Sequence, residues 1–205
     1  MPLVATRGGA SASALGWSSA PQAEELGGMV LLAPTSIAYT GTSASIGTNG
    51  SVEFAACSVL ELRGIFSADY DNYLIAIRTS SNGTIASIDG RLMSGTTPAS
   101  GTNYTRQYFY ADGSTVAAYR DPSPNYTRVH QNYNQGQAGT TLHLYGPYLT
   151  QPTAMRTVRV DNASYAFLTD EATTHSLSTS YDGFYFYTPA NTVTGLVSVY
   201  GLVGA

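Results

Sequence analysis

From Met29 onward, apolar and polar residues alternate with a period of two, and the periodicity of a long helix is absent. In Leu60-Glu-Leu-Arg-Gly-Ile-Phe, Leu60 and Leu62 fall on one face of an extended chain and Glu61 and Arg63 on the other, because successive side chains on a strand point to opposite sides. Tyr73-Leu-Ile-Ala-Ile-Arg and Leu196-Val-Ser-Val-Tyr follow the same rule. On this pattern, strands are predicted over Met29–Ala33, Ser36–Tyr39, Ser51–Ala55, Val59–Phe66, Tyr73–Thr79, Thr84–Met93 and Tyr104–Ala111. Further strands are predicted over Thr115–Tyr119, Thr140–Tyr145, Arg156–Val160, Ser164–Leu168, His175–Ser178, Phe184–Tyr187 and Thr194–Tyr200. Turn signals fall at Ser81-Asn82-Gly83, Asp89-Gly90, Asp112-Gly113 and Asp182-Gly183, and Asp112-Gly113 between two alternating runs is a two-residue hairpin cue.

Many short strands punctuated by turns predict an all-β chain, an antiparallel β-sandwich of jelly-roll type. The first 28 residues differ. Residues 7–20, Arg-Gly-Gly-Ala-Ser-Ala-Ser-Ala-Leu-Gly-Trp-Ser-Ser-Ala, are small and nearly chargeless, which reads as a flexible arm. Pro21-Gln-Ala-Glu-Glu-Leu could add one helical turn. The expected organisation is an attachment arm over residues 1–28 and a sandwich domain over 29–205. The chain's only Trp, Trp17, sits in the arm; with Leu3 and Leu15 it is expected to anchor that arm to a neighbour.

Composition narrows the function classes. Charged residues are only 11% of the chain, Lys is absent, and the net charge is −4. A binder that neutralises nucleic-acid phosphates needs clustered Lys and Arg, so that class is excluded. A run of 18 apolar residues is also missing, which excludes a helical membrane span. Ser and Thr number 47 and Gly 21, yet the hydrophobic fraction of 43% argues against a disordered chain. Cys57 is alone, so an intramolecular disulfide is impossible, and its apolar surroundings predict a buried thiol. The N-terminus lacks the pattern of a secretory signal, and folding in a cytoplasm is expected.

Candidate chemistry is sparse. Gly-x-Ser-x-Gly, His-Glu-x-x-His and phosphate-loop patterns do not occur. His130, His143 and His175 lie in separate segments, and His143 reads as a strand-face residue. Asp69 and Asp71 read as turn stabilisers, and Asp170-Glu171 is an acidic pair whose geometry spacing leaves open. Two segments combine aromatic rings with amides and Arg, the side chains that stack on sugars and bond their hydroxyls. The first is Tyr104–Tyr110, with Tyr104, Arg106, Tyr108 and Tyr110 as contacts. The second is Tyr126–Gln137, with Tyr126, Arg128, Gln131, Asn132, Tyr133 and Asn134. Its low aliphatic content predicts an exposed loop, open equally to ligand binding, subunit contact or plain solvation.

Phe66-Ser-Ala-Asp-Tyr-Asp-Asn-Tyr-Leu-Ile, Ser180-Tyr-Asp-Gly-Phe and Thr194-Gly-Leu-Val-Ser-Val-Tyr-Gly together resemble a group of tailed-bacteriophage virion proteins. Met29-Val-Leu-Leu-Ala-Pro-Thr-Ser-Ile is similar to their first strand, and Gly8-Gly-Ala-Ser-Ala-Ser-Ala-Leu-Gly-Trp to the segments leading into such domains. These are minor tail, tail-fibre and head-decoration proteins. The resemblance implies a β-sandwich, assembly as a homotrimer with other virion proteins as partners, and no catalytic, cofactor or metal residues. The expected function is a non-enzymatic virion structural protein, tail-associated and held by its N-terminal arm, put together in the host cytoplasm. Capsid decoration and receptor recognition through a host surface glycan are the alternatives. A long fibre shaft is missing, which weighs against a full-length tail fibre.

Overall fold

A computed structural model describes residues 28–81, 85–133, 137–161 and 167–203. Strands account for the regular structure among these residues, in chain order β1 (Met29–Leu32), β2 (Ser36–Thr40), β3 (Ser43–Ile46), β4 (Val52–Cys57), β5 (Val59–Arg63) and β6 (Asn72–Ser81). Next come β7 (Ile85–Ser94), β8 (Thr97–Pro98), β9 (Tyr104–Asp112), β10 (Thr115–Asp121) and β11 (Thr127–Tyr133). The chain ends with β12 (Gln137–Tyr145), β13 (Thr153–Asp161), β14 (Leu168–His175), β15 (Gly183–Tyr187) and β16 (Val193–Leu202).

Two antiparallel sheets result. The larger runs β10-β9-β14-β13-β12-β6-β16-β4-β3, and the smaller β11-β7-β15-β5-β2 with β8 against β7. The long strand β16 pairs with β6 along its whole length. Its other edge is shared in series, by β4 opposite Val193–Val197 and by β1 opposite Val199–Leu202. The residues that alternation assigned inward meet in one core: Leu60 and Leu62 of β5, Ile75 and Ile77 of β6, Phe184 and Phe186 of β15, Val197 and Val199 of β16. Burying each such side chain is worth about 1.5–3 kcal/mol. Glu61 and Arg63 pair with each other on the opposite face of β5. Cys57 is buried, and burial pushes its thiol pKa up.

The sequence reading needs correction at several elements. Asp89-Gly90 is not a turn but lies in the middle of β7. Gly90 is required there because a Cβ would fall 2.5 Å from the Phe184 ring. The hairpin at Asp112-Gly113 forms, with Asp112 paired to Thr115, so its two loop residues are Gly113 and Ser114. Gly113 has φ +57°, the left-handed region that favours glycine. Short strands predicted over Ser164–Leu168 and His175–Ser178 flank the true strand, β14. Most instructive is β11: the polar segment read as an exposed loop is the edge strand of the smaller sheet, with Thr127, Val129 and His130 fully buried. β3 (Ser-Ala-Ser-Ile) and the two-residue β8 are short and were not anticipated.

Candidate functional site

The inward face of the larger sheet is apolar over β16, β6 and β12 and turns polar beyond them. Its four inner rows run across β9, β14 and β13 in register: Tyr104–His175–Thr153, Arg106–Thr173–Met155, Tyr108–Glu171–Thr157 and Tyr110–Thr169–Arg159. Alternation in β9 places its four members on one side, and β14 contributes a hydroxyl, a carboxylate or an imidazole at every inward position. The start of β11 from the smaller sheet lies over this polar region.

Glu171 is fully buried at the centre of a charge cluster there. Arg106 grips it in a fork, Nε to Oε1 at 2.7 Å and Nη2 to Oε2 at 2.8 Å. The Thr173 hydroxyl and the Arg128 backbone N–H each donate to Oε1 at 3.1 Å. The two threonine hydroxyls Thr127 and Thr173 bond each other at 2.9 Å. Arg128 in turn faces Asp89 of β7 at 2.5 Å, closing the cluster across both sheets. Burial pulls the Arg106 pKa down, but the Glu171 bond and charge outweigh it and hold the guanidinium above the usual arginine range. Burial raises Asp89, with the Arg128 charge opposing. Arg159 is held less well. It reaches Glu171 only at 3.6 Å and the Arg128 carbonyl at 3.4 Å, and its Nε has no hydrogen-bond partner. Burial lowers its pKa to about 10, against partial support from Glu171.

Beside this cluster opens a cleft of about 510 Å³. One wall is a run of stacked rings. Tyr119 of β10 lies between Tyr108 (5.6 Å, 25°) and Tyr110 (5.9 Å, 6°), and Tyr110 stacks on Phe167 (5.4 Å, 18°). At its base the Arg106 guanidinium sits over the Tyr126 ring at 4.8 Å, and Arg128 lies 5.3 Å from the same ring. Flat aromatic faces beside fixed charged donors suit a ligand with both apolar C–H surface and polar groups. The apolar void among Phe54, Cys57, Phe186 and Val193 holds only about 20 Å³, room for no more than a water.

The expected site residues are thus divided. Tyr108, Tyr110, Tyr126 and Arg128 line the cleft together, as does Arg106, although it is buried and held by Glu171. Tyr104 is a core residue instead. It is wholly buried, its hydroxyl accepts a bond from the Leu92 backbone N–H at 3.1 Å, and it packs edge-on to His175. Gln131, Asn132 and Tyr133 belong to the backbone of β11; their side chains, like Asn134 and the arm residues Leu3, Leu15 and Trp17, lie outside the described residues. Tyr119, Phe167, Arg159 and Glu171 were missed. Tyr119 was legible only as a hairpin residue, since a loop at Asp112-Gly113 would set it opposite Arg106 and the actual loop sets it opposite Tyr108. Arg159 and Glu171 were not, because only the pairing of distant strands brings them together.

The acidic pair Asp170-Glu171 separates on folding. Neighbours on a strand face opposite ways, so Asp170 meets Arg156 on the outside at 2.6 Å while Glu171 points in. That Arg156 bond holds the Asp170 carboxyl below its ordinary pKa. Asp69 caps a turn, with the Ser67 hydroxyl donating to its carboxylate at 3.0 Å. Among the described residues, no group of three or more His, Cys, Asp or Glu side chains is placed to hold a metal ion. Comparison with known proteins gives no match to a family model and none to a curated protein.

Proposed function

We propose that this chain is a non-enzymatic recognition protein of a tailed-phage virion, tail-associated through its N-terminal arm, whose sandwich binds saccharide in the cleft beside β9 and β10. The observation that carries the binding reading is the stacked run Tyr108–Tyr119–Tyr110–Phe167 bordering arginine side chains. Sugar rings present flat C–H faces to such rings and hydroxyls to fixed donors. The virion setting rests on the resemblance of the strand and turn segments.

A jelly roll is the finer fold reading, and strand order supports it. Four strands β4-β16-β6-β12 lie in one sheet and β5-β15-β7-β11 in the other. Consecutive members of this set alternate between sheets except at β7 to β11, where the chain stays in the smaller one. That is the order of two interlocked Greek keys, an architecture common to viral capsid proteins and lectins. The remaining strands of the cleft are insertions: β8–β10 between β7 and β11, and β13–β14 between β12 and β15. Of these, β9, β10, β13 and β14 lengthen the larger sheet past the cover of the smaller and leave an aromatic shelf, while β8 pairs with β7 in the smaller sheet. The non-enzymatic reading is supported by the state of Glu171, whose oxygens are already engaged by Arg106, Thr173 and the Arg128 N–H.

A glycan array probed with the full chain tests binding, with Tyr119→Ala as the control. Tyr119 is half exposed, so the variant should stay folded and lose at least tenfold in affinity for whichever glycans the native protein captures. Absence of any captured glycan at high protein concentration would overturn the saccharide reading. Gold labelling of particles tests the virion setting, and label at the tail is the expected result.

A further inference from the structure

The buried cluster at the base of the cleft holds one more cation than anions, while Asp112, Arg120 and Asp121 also line the cleft. Three guanidinium groups, of Arg106, Arg128 and Arg159, face two carboxylates, of Glu171 and Asp89. Arg106 and Arg128 each have a close partner. Asp121 reaches Arg106 only from the rim, at 3.8 Å. Arg159 is the cation left over: it is 94% buried, since only 6% of it is exposed, and its nearest carboxylate oxygen is 3.6 Å away and already held by Arg106. A buried cation without a close counter-charge is costly.

The Arg159 Nε has no hydrogen-bond partner, and a hydroxyl without one stands next to it. Thr169 is directly paired with Arg159 in register, is fully buried, and its hydroxyl has no hydrogen-bond partner. Both residues line the cleft, and Tyr110 follows Thr169 in the same row on β9. Buried polar groups are normally satisfied. Two adjacent donors left open at the foot of an aromatic wall, the Arg159 Nε and the Thr169 hydroxyl, are arranged for an acceptor from outside the chain. A carboxylate is planar and bears two acceptor oxygens, which fits the arginine fork and leaves a lone pair for the threonine.

We infer that the cleft takes a carboxylate-bearing saccharide, its acid group at Arg159 and Thr169 and its C–H surface along the exposed rims of Tyr110 and Tyr119. This rests on the saccharide reading above and adds the ligand's charge.

The test is calorimetric titration of the full chain with oligosaccharides of galacturonate, of glucuronate and with a terminal sialic acid, each beside its methyl ester. The acid form of at least one should bind ten or more times as tightly as its ester. Arg159→Gln should shrink that ratio to within twofold, and Thr169→Val should reduce it. If Arg159→Gln does not fold, the acid-to-ester ratio of the native protein decides alone. Equal binding of acid and ester would overturn the inference and leave saccharide binding standing. Binding of neutral glycans only would do the same, and binding of no saccharide would overturn both.

Discussion

Glu171 joins three strands through one carboxylate, and its substitution gives the clearest prediction at the scale of single residues. Glu171→Gln keeps the shape but leaves Arg159 buried without an anion and Arg106 with only Asp121 at the rim. Removing one partner of a buried pair costs about 3–5 kcal/mol, so the urea midpoint should fall sharply; a loss under about 1 kcal/mol would mean that water reaches the cluster. Gly90→Ala drives a methyl group into the Phe184 ring and into Val129, and overpacking of this kind costs about 1–3 kcal/mol. His175 is buried against Tyr104 and Tyr181, and burial holds its pKa below the usual imidazole value. The unfolded chain takes up a proton near pH 6.5 while the native one resists. Stability is therefore full above that pH and is lost as pH falls through it, with a limiting slope of about 1.4 kcal/mol per pH unit. Urea unfolding at pH 7.5 and 5.5 should show this loss, and His175→Gln should remove its share.

At the scale of elements, β11 and β14 explain why apolar alternation is an incomplete guide. Leu168-Thr-Asp-Glu-Ala-Thr-Thr-His alternates perfectly in burial, but its inward residues are Thr169, Glu171, Thr173 and His175. The inward face is polar while Leu168 and Ala172 face outward, so the period of two is present in space but hydropathy does not report it. β11 is similar: Thr127 is satisfied by Thr173, and His130 Nδ1 lies 2.5 Å from the Thr140 hydroxyl. The two strands recognise each other through side-chain hydrogen bonds across the sandwich. The β9–β10 hairpin is the opposite case, because one local turn cue located both of its strands, although the loop closes at Gly113-Ser114 rather than Asp112-Gly113 and so moves Tyr119 from Arg106 to Tyr108. Gly113→Ala forces an L side chain into left-handed backbone, at about 1–2 kcal/mol. If the hairpin forms the saccharide wall, that variant should weaken glycan capture more than it lowers the melting temperature.

For the whole molecule, the larger sheet is extended at one end and its outer face carries an exposed apolar row. Val116, Ala111, Leu168 and Val160 are consecutive partners across β10, β9, β14 and β13, with Val116 75% exposed. Rows of this kind favour contact with another protein surface, and the homotrimer expected from the resemblance would use it. Light scattering of the full chain should then give a trimer mass, and Val160→Glu with Leu168→Glu should yield a folded monomer. A native monomer would remove the trimer from the proposal.

Local residues determined much of this protein. Alternation located β5, β6, β9, β10 and β16 and their inward faces, because side-chain direction on a strand depends only on position. Cys57 was legible as a buried thiol from its apolar neighbours. The strands with a polar inward face were decided by tertiary structure, since Glu171 can be buried only where Arg106, Thr173 and the Arg128 N–H converge on it. The cleft was half legible. Its tyrosines were visible in sequence, but Tyr104 went to the core, and Arg159 and Thr169 joined the cleft only through the pairing of β13 with β14. Placing a charge inside a fold is favourable only if distant strands supply its partners. Sequence spacing carries no record of those partners.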